Sequence, residues 1–251
     1  MAGAKRRLDV LLVERGLVES REKAQALVMA GQVWVQGQRV DKAGKAFPPD
    51  VEIEVKGEAC PYVSRGGLKL EGALDSLDID VADKVVADFG ASTGGFTHCL
   101  LARGAKKVYA LDVGYGQLHW ILRQDPRVVV MEKVNVRYLE AFHLGEEVDM
   151  VVADLSFISL TLVLPAVKRA LRGGGEALLL VKPQFEVGRE KVGKGGVVRD
   201  DAARREALER VKAKALELGF QILGEVESPV PGAKKGNIEI FLYLRLSQKA
   251  G

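Results

Sequence analysis

The stretch Asp88-Phe89-Gly90-Ala91-Ser92-Thr93-Gly94-Gly95-Phe96-Thr97 decides the fold of the larger part of this chain. It follows the apolar run Val85-Val86-Ala87 and leads into a helical pattern of apolar residues. Glycines accept positive φ and let a ligand approach the backbone, and a helix start offers unpaired N–H groups to an anion. The sequence therefore predicts a strand, a glycine-rich turn and a helix around a nucleotide-type pocket, although a purely structural turn has a similar pattern.

Strand and helix patterns alternate from Val85 onward. We predict strands at residues 85–89, 107–113, 128–132, 148–154, 176–182, 221–228 and 238–246. We predict helices at residues 95–103, 117–123, 159–171 and 201–218. This alternation indicates an α/β, Rossmann-like domain with a seven-stranded, mostly parallel sheet between helices. In such sheets a ligand binds beyond the carboxyl ends of the strands.

The composition is that of an ordinary globular protein, with 47% apolar and 28% charged residues. No apolar run is long enough to span a membrane, and no apolar signal core follows the basic start of the chain. Cys60 and Cys99 are the only cysteines and form no CxxC or Cys/His pattern, so neither a disulfide framework nor a metal site is expected. The expected location is the cytoplasm.

The first part of the chain has the pattern of a small module with two helices and a few short strands. Apolar residues keep helical spacing over residues 8–13 and 24–28, and a glycine follows each run. Residues 33–35 and 51–55 alternate as strands do. Residues 1–48 carry nine Lys or Arg against five Asp or Glu, which indicates a modest basic patch or an ordinary charged surface.

Charged residues stand where several predicted strands end. Asp112 follows the glycine turn by about twenty residues, where an acid commonly accepts hydrogen bonds from a ribose hydroxyl. Asp154 and Lys182 end two further strands at the same sheet edge, either as reactive groups or as a salt bridge between strand ends. By spacing alone, Lys69 is a solvated surface lysine and Glu239 a strand-edge residue.

The glycine spacing favours one class of cofactor. Gly90-x3-Gly94-Gly95 is not the G-x-G-x-x-G pattern of dinucleotide-binding proteins. S-adenosylmethionine, an adenosine cofactor without a pyrophosphate, fits this turn better.

Five short motifs characterise the N-terminal module, namely Arg7-Leu8-Asp9, Ser20-Arg21-Glu22-Lys23-Ala24, Gly31-Gln32-Val33-Trp34-Val35, Gly37 and the strand from Asp50 to Val55. With these motifs the module resembles the RNA-binding domain of the S-four ribosomal-protein type. In that family basic residues of the helices contact RNA phosphates, which positions the RNA without reading its sequence. The resemblance implies this role for Arg6, Arg7, Arg21 and Lys23.

Longer motifs extend over nearly the whole chain. They are Val63-Ser64-Arg65-Gly66-Gly67-x-Lys69-Leu70, the stretch from Asp88 to Thr97, Asp112-Val113-Gly114-Tyr115-Gly116-Gln117-Leu118, Asp149-x-Val151-Val152-Ala153-Asp154-Leu155-Ser156-Phe157-Ile158-Ser159, Val181-Lys182-Pro183-Gln184-Phe185-Glu186 and Gly236-Asn237-x-Glu239. With these motifs the chain closely resembles the TlyA, or hemolysin-A-like, family of ribosomal RNA 2′-O-methyltransferases. The resemblance implies an RNA-binding domain at residues 1–60, a linker and first helix at 61–82, and an S-adenosylmethionine-dependent methyltransferase domain at 83–251.

The resemblance also implies which residues act. The related FtsJ-type enzymes use a Lys-Asp-Lys-Glu tetrad, which corresponds here to Lys69, Asp154, Lys182 and Glu239. Lys182, held by the two acids, would serve as general base or stabilise the developing alkoxide of a ribose 2′-hydroxyl. Lys69 would position that hydroxyl or its neighbouring phosphate.

The implied ligands are a cofactor and an RNA. S-adenosylmethionine would be held by Asp88, Gly90, Ser92, Gly94, Gly95 and Asp112, with Asn135 at the adenine. No metal is required. The substrate would be a cytidine in ribosomal RNA or in ribosomal subunits, while the nucleotide, the subunit and the oligomeric state of the protein stay open.

Three other functions compete with this one. A pore-forming hemolysin would show a spanning segment, a signal peptide or a strongly amphipathic basic helix, and none is found in the sequence. A non-catalytic RNA-binding protein would not need the tetrad, which is intact. A base methyltransferase would carry an Asn/Asp-Pro-Pro-aromatic motif or a catalytic cysteine, whereas Cys99 lies in a helical core pattern.

Overall fold

The computed structural model of the protein describes residues 5–29, 31–56, 60–140, 143–231 and 237–248. Parts of both predicted domains lie outside these ranges. They are residues 1–4, 30 and 57–59 of the N-terminal domain, and residues 141–142, 232–236 and 249–251 of the methyltransferase domain, which include Gly236 of the last motif. The chain divides into two compact units, Met1–Arg65 and Gly66–Gly251. This boundary falls inside the segment 61–82, for which the sequence predicts a linker and a first helix.

The first unit consists of short elements, which are β1 (Arg6–Arg7), α1 (Leu8–Glu14), α2 (Arg21–Met29), β2 (Val33–Val35), β3 (Gln38–Arg39), β4 (Ala46–Phe47) and β5 (Ile53–Val55). β3, β2 and β5 form an antiparallel sheet in that order, and β1 pairs with β4. Leu8, Leu11 and Leu12 of α1 pack with Ala24 and Val28 of α2 in the core of this unit. The predicted small α+β domain is confirmed.

Local signals set the ends of its helices. Ser20 Oγ accepts a hydrogen bond from Lys23 N at 3.2 Å, which stabilises the start of α2. Gly16 and Gly31, after the two helices, have φ of +68° and +71°. Glycine adopts this left-handed conformation at little cost, so both helices end where the sequence predicts.

The second unit alternates strands and helices, in the order α3 (Gly66–Ser76), β6 (Val85–Phe89), α4 (Gly95–Ala102), β7 (Lys107–Asp112), α5 (Trp120–Arg123), β8 (Val128–Glu132), β9 (Val148–Ala153), α6 (Leu160–Ala170), β10 (Leu171–Val181), α7 (Pro183–Glu186), α8 (Asp201–Glu217), β11 (Phe220–Glu227) and β12 (Ile240–Leu246). Seven strands form one sheet in the order β11-β12-β10-β9-β6-β7-β8. β12 runs antiparallel to β10 and β11, and the other pairs are parallel. The predicted seven-stranded, mostly parallel sheet is confirmed.

The central strand β6 shows how the sheet separates its two faces. Ala87 and Phe89 are buried in a core that also contains Val163 of α6 and Val211 of α8. Asp88 lies between them in sequence and therefore points to the opposite face. No helix among the described residues is long and apolar enough to cross a membrane.

Two element boundaries differ from the predicted ones by three residues or more. The helix predicted at 117–123 begins only at Trp120, because His119 Nδ1 accepts a hydrogen bond from Ile121 N and caps the helix there. β10 begins at Leu171 rather than at residue 176, and its register with β9 shifts between Leu171 and Glu176. The intervening run of glycines explains why the sequence pattern placed the strand start too late.

Gly94 is required where the glycine turn enters α4. Its φ is +97°, and it is the N-cap of that helix. A Cβ atom at this position would lie 2.2 Å from Leu122 Cδ1 and 2.8 Å from Leu118 Cδ1. The missing side chain therefore makes room for two leucines of the chain itself, in a conformation that other residues avoid.

Gly94→Ala is expected to lower the free energy of unfolding by roughly 2–4 kcal/mol, because it adds an overlap to the backbone strain. Gly219→Ala is the matched control, since Gly219 has φ of +88° and an added Cβ would meet no described atom within 4 Å. The control should lose only about 1–2 kcal/mol of backbone origin. Urea unfolding compares the two variants, and equal losses would contradict the packing role of Gly94.

Candidate active site

The candidate site lies at the edge of the large sheet where the parallel strands end. Asp112 is the last residue of β7, and Asp154 and Lys182 directly follow β9 and β10. Glu239 directly precedes β12, whose first residue pairs with Val181 at the end of β10. Because β12 is antiparallel, its start reaches the same edge as the ends of the parallel strands. The structure thus brings these charged residues to one edge.

Four charged residues, which we refer to as the tetrad, form a connected cluster there. Lys182 Nζ lies 2.5 Å from Asp154 Oδ1. Lys69 Nζ, from α3, donates a hydrogen bond to Glu239 Oε2 at 2.6 Å and lies 3.8 Å from Asp154 Oδ2. Asp154 therefore contacts both lysines, one through each oxygen. Glu239 holds Lys69, whereas the family resemblance implies that both acids hold Lys182. The tetrad is assembled from four separate segments of the chain.

The tetrad is largely withdrawn from solvent. Lys69 is 9% exposed, Lys182 8% and Glu239 4%. Lysine and glutamate are rarely buried to this degree without a partner of opposite charge. Here two ammonium and two carboxylate groups compensate each other. The solvated positions that spacing alone predicts for Lys69 and Glu239 are not observed.

Two residues of the segment after β9, Ser156 and Phe157, carry no role in the sequence-based predictions. Lys182 Nζ donates a hydrogen bond to Ser156 Oγ at 3.1 Å. The next residue, Phe157, has φ of +65° and is 91% exposed. Positive φ at a bulky residue often marks a functional site. The available signal in the sequence was an aromatic residue in the segment that directly follows a strand.

The Asp112 carboxylate joins the glycine turn to the end of β7. Ser92 N donates to Asp112 Oδ2 at 2.8 Å, and Gly114 N donates to Oδ1 at 2.7 Å. A carboxylate has about four lone-pair sites. Asp112 therefore keeps the capacity to accept hydrogen bonds from ribose hydroxyl groups while it holds the turn in place.

Asp88 lies beneath the glycine turn. Its side chain is fully buried, and Oδ2 accepts a hydrogen bond from Thr97 Oγ1 at 2.7 Å. Oδ1 has no hydrogen-bond partner in the described part of the chain. Burial raises the pKa of Asp88 to about 7, against the effect of the bond from Thr97. The carboxyl group supports the turn from within, and Oδ1 is left as an acceptor.

The other residues predicted to hold a cofactor surround this turn. Gly90 has φ of +87°, and a Cβ atom there would lie 2.9 Å from a neighbouring leucine side chain. Gly95 begins α4, whose first N–H groups have no side-chain cap because Gly94 precedes them. Asn135 is exposed, and its Oδ1 accepts a hydrogen bond from the backbone N–H two residues later at 3.1 Å.

These features fit an adenosine cofactor that carries a carboxylate at its other end. A strand-end carboxylate can bind the ribose, and an uncapped helix N-terminus can bind the anionic end. Asp88 Oδ1 is a buried acceptor beside them. Over the described ranges, no group of three or more His, Cys, Asp or Glu side chains could hold a metal ion.

Two of the predicted RNA-contacting residues converge on Asp9 in the first unit. Arg7 donates from Nε to Asp9 Oδ1 and from Nη2 to Oδ2, both at 3.0 Å. Arg21 Nη2 and Gln25 Nε2 donate to the same Oδ2 at 3.1 and 3.0 Å. Hydrogen bonds from Arg7, aided by those from Gln25 and Arg21, hold the pKa of the buried Asp9 well below its usual range.

The other two predicted RNA contacts are also paired with acids. Arg6 forms an ion pair with Glu14, and Lys23 forms one with Glu19. The side chains of all four basic residues nevertheless remain more than half exposed. Their guanidinium and ammonium groups are therefore held in place and still accessible to a phosphate.

Comparisons with known proteins agree with both resemblances. Residues 62–246 match the family of FtsJ-like methyltransferases, and residues 6–53 match the S4 domain. The chain is similar to the Mycobacterium tuberculosis protein named 16S/23S rRNA (cytidine-2′-O)-methyltransferase TlyA, with 49% identity over 95% of this chain and 89% of that protein. It is also similar to the Bacillus subtilis protein YqxC, with 49% identity over 97% of this chain and 87% of that protein.

A solved structure shows the same similarity in three dimensions. A Streptococcus thermophilus protein that carries the name hemolysin is 48% identical in sequence and superimposes with a TM-score of 0.77. The match covers 97% of this chain and 89% of the other. The predicted family relationship is therefore confirmed over nearly the whole length.

Asp88→Asn tests the buried carboxyl group. Because the folded-state pKa of Asp88 is raised to about 7, the folded protein binds this proton more tightly than the unfolded chain. The stability that this proton contributes is fully present below about pH 4 and is lost as the pH rises to about 7. Asparagine stays neutral, so the variant should gain roughly 1–3 kcal/mol of stability on the wild type between pH 5 and pH 8. Urea unfolding at both pH values measures this gain, and a pH-independent difference would contradict the raised pKa.

Proposed function

The chain belongs to the FtsJ-like methyltransferase family, and we propose that it transfers a methyl group from S-adenosylmethionine to the 2′-hydroxyl of a cytidine in ribosomal RNA. The observation that carries this proposal is the buried tetrad at the sheet edge, next to the glycine turn. The tetrad contains two lysine side chains that can act on the ribose 2′-hydroxyl. It lies at the edge of the sheet where folds of this class bind their ligands.

Lys182 is the residue that acts on the hydroxyl. A ribose hydroxyl is a poor acid, so its oxygen needs help in losing a proton. Contacts with Asp154 and Ser156 fix the position of Lys182 Nζ. As a neutral amine the nitrogen accepts the proton, and as an ammonium group it stabilises the negative charge that develops on the oxygen. Either use requires this nitrogen to lie within hydrogen-bond distance of the hydroxyl.

Lys69 has a separate role in the proposal. Its ammonium group is held by Glu239 and lies near the second oxygen of Asp154. From there it positions the same hydroxyl or the neighbouring phosphate of the RNA. Asp154 is shared by the two lysines and keeps both nitrogens oriented, which is the contribution that a positioning group makes to the rate.

The residues of the glycine turn would hold the cofactor. When bound, S-adenosylmethionine supplies a methyl group on a positively charged sulfur. Asp112 would accept hydrogen bonds from its ribose, and the N-terminus of α4 at Gly95 would bind its carboxylate. Asn135 would reach the adenine through its amide nitrogen. The turn itself would be shaped by Asp88, Gly90, Ser92 and Gly94.

Two features of the chain suit an RNA substrate. The S4 domain presents basic side chains that would contact phosphates and so position the RNA. Phe157, next to Ser156, exposes a flat aromatic ring on which an unstacked base can lie. The named substrate of the M. tuberculosis relative supplies the choice of cytidine in ribosomal RNA. We place the reaction in the cytoplasm, where ribosomal RNA is found.

Two of the three alternative functions do not need this site. A pore-forming hemolysin or a non-catalytic RNA-binding protein gains nothing from two buried lysines, whose desolvation costs on the order of several kcal/mol each. The name hemolysin belongs to the S. thermophilus protein and is not carried over to this chain.

Lys182→Ala should lower the rate of methyl transfer by at least about 10²-fold and leave S-adenosylmethionine affinity within about threefold. The measurement is transfer of a labelled methyl group to intact ribosomal subunits and to naked ribosomal RNA, followed by mapping of the nucleotide. Normal turnover would contradict the role of Lys182, and label on a base would contradict 2′-hydroxyl methylation.

Lys84→Ala is the matched control for this experiment. Lys84 is also ion-paired, at 2.9 Å from Glu176 Oε2, but it precedes β6 and lies at the opposite edge of the sheet. Its removal should leave the rate of methyl transfer near that of the wild type.

Arg21→Ala should weaken RNA binding severalfold and reduce the slope of log K against log salt by about one. The domain should remain folded, because Arg7 still makes two hydrogen bonds to Asp9. Arg205→Ala removes an exposed arginine from α8 as a control of equal charge. Fluorescence anisotropy at several salt concentrations measures both variants, and an unchanged slope for Arg21→Ala would contradict the predicted phosphate contact.

A further inference from the structure

We infer that Glu186 is a positioning residue for the proposed methyl transfer. Its buried carboxylate holds the segment after β9, which carries Asp154 and Ser156, against the segment after β10, which carries Lys182. This role rests on the proposed function and adds to it a residue outside the tetrad.

The contacts of Glu186 join the two segments directly. Glu186 ends the short helix α7, four residues after Lys182. Its Oε2 accepts a hydrogen bond from Ser159 Oγ at 2.6 Å, and its Oε1 accepts one from Leu160 N at 2.8 Å. Ser159 and Leu160 lie where the segment after β9 enters α6. Because Glu186 is only 3% exposed, both bonds are shielded from water, which strengthens them.

The two segments contact each other through three pairs of side chains, which follow one another along both segments away from the strand ends. The pairs are Asp154 with Lys182, Phe157 with Phe185 and Ser159 with Glu186. The first pair belongs to the tetrad. The second is an aromatic contact with ring centroids 5.2 Å apart. The third, a hydrogen bond, joins the segments at the points farthest from the strand ends. Without Glu186, the ion pairs, side-chain hydrogen bonds and ring contacts left between the described residues of the two segments would be the Phe157–Phe185 pair and the contacts of Lys182 with Asp154 and Ser156.

Glu186 does more than cap the first N–H group of α6. Ser159 is already the N-cap of α6, because its Oγ accepts a hydrogen bond from Thr161 N. Glu186 comes from another element, and its backbone oxygen accepts a hydrogen bond from Arg210 Nη1 of α8 at 2.8 Å. It thus links α6, α7 and α8. A helix as short as α7 is not stable by itself, so these links determine where it lies.

The effect of Glu186 should fall on the chemical step and not on binding. Its carboxylate contacts neither the glycine turn nor Asp112, where the cofactor would be held. It sets the distance between Lys182 and the segment that carries Asp154 and Ser156. A displacement of about 1 Å in a reacting group can lower a rate by about 10²-fold.

The test compares Glu186→Ala with Glu186→Gln. Glu186→Ala should lower kcat by roughly 10- to 100-fold, with KM for RNA and Kd for S-adenosylmethionine within about threefold of the wild type. Glutamine keeps an acceptor for Leu160 N and an amide that can donate to Ser159 Oγ. Glu186→Gln should therefore restore most of the rate. A wild-type kcat in Glu186→Ala, or a change confined to KM or Kd, would overturn the inference.

Glu176→Ala separates positioning from stability. Glu176 lies near the other end of β10 and accepts hydrogen bonds from Lys84 and Arg245 at 2.9 and 2.8 Å. Its removal should lower the melting temperature but leave kcat unchanged well below that temperature. If the two alanine variants lose kcat in proportion to their loss of thermal stability, Glu186 has only a structural role and the inference fails.

A second measurement needs neither RNA nor methyl transfer. Acetic anhydride labels lysines, and peptide mass spectrometry gives the rate at Lys182 relative to Lys84. Glu186→Ala should raise this relative rate severalfold, because the Asp154–Lys182 pair would open more often. An unchanged rate would overturn the positioning role. A raised rate, in a protein whose wild type methylates no ribosomal RNA, would support that role and overturn the proposed function instead.

Ser159→Ala provides a second test of the inference if the Glu186 variants do not fold. It removes the hydrogen bond to Glu186 together with the Ser159 cap of α6, and it leaves the carboxylate bonded to Leu160 N. Both measurements apply to it unchanged. A wild-type kcat together with a wild-type labelling rate at Lys182 in this variant would equally overturn the inference.

Discussion

The two oxygens of Asp154 are divided between two lysine ammonium groups, and the site depends on this sharing. Without Asp154, the ammonium group of Lys182 would lose its ion-pair partner. A buried charge without such a partner lowers the stability of the fold. The surrounding fold serves to bring four distant segments to one place. Asp154 and Lys182 lie side by side because they follow neighbouring parallel strands. Lys69 lies in α3, and Glu239 directly precedes the antiparallel strand β12.

The parts of the fold that could be predicted are those whose signal is local. Apolar runs marked the strands, and acids or a lysine at the ends of those runs marked the sheet edge. Lys69 and Glu239 could not be placed from spacing, because they are 170 residues apart and meet only through tertiary contact. Lys69 precedes the alternating pattern altogether. Both were identified through family motifs and not through physical periodicity.

The glycine turn and the basic module show a second limit of sequence reasoning. A glycine pattern shows where side chains are absent, but it does not show whether a ligand or the protein itself occupies the space beside the backbone. At Gly94, two leucine side chains of the protein occupy that space. Likewise, a count of charged residues gives an excess of positive charge, whereas the structure pairs each predicted RNA contact with an acid. Such pairs make the charges more ordered and weaken their long-range field.

The position of Glu239 along the chain has a consequence for the assembly of the tetrad during synthesis. Glu239 directly precedes β12 and is the last of the four tetrad residues to be synthesised. A nascent chain that has emerged as far as β11 therefore carries both lysines and Asp154 but cannot complete the tetrad.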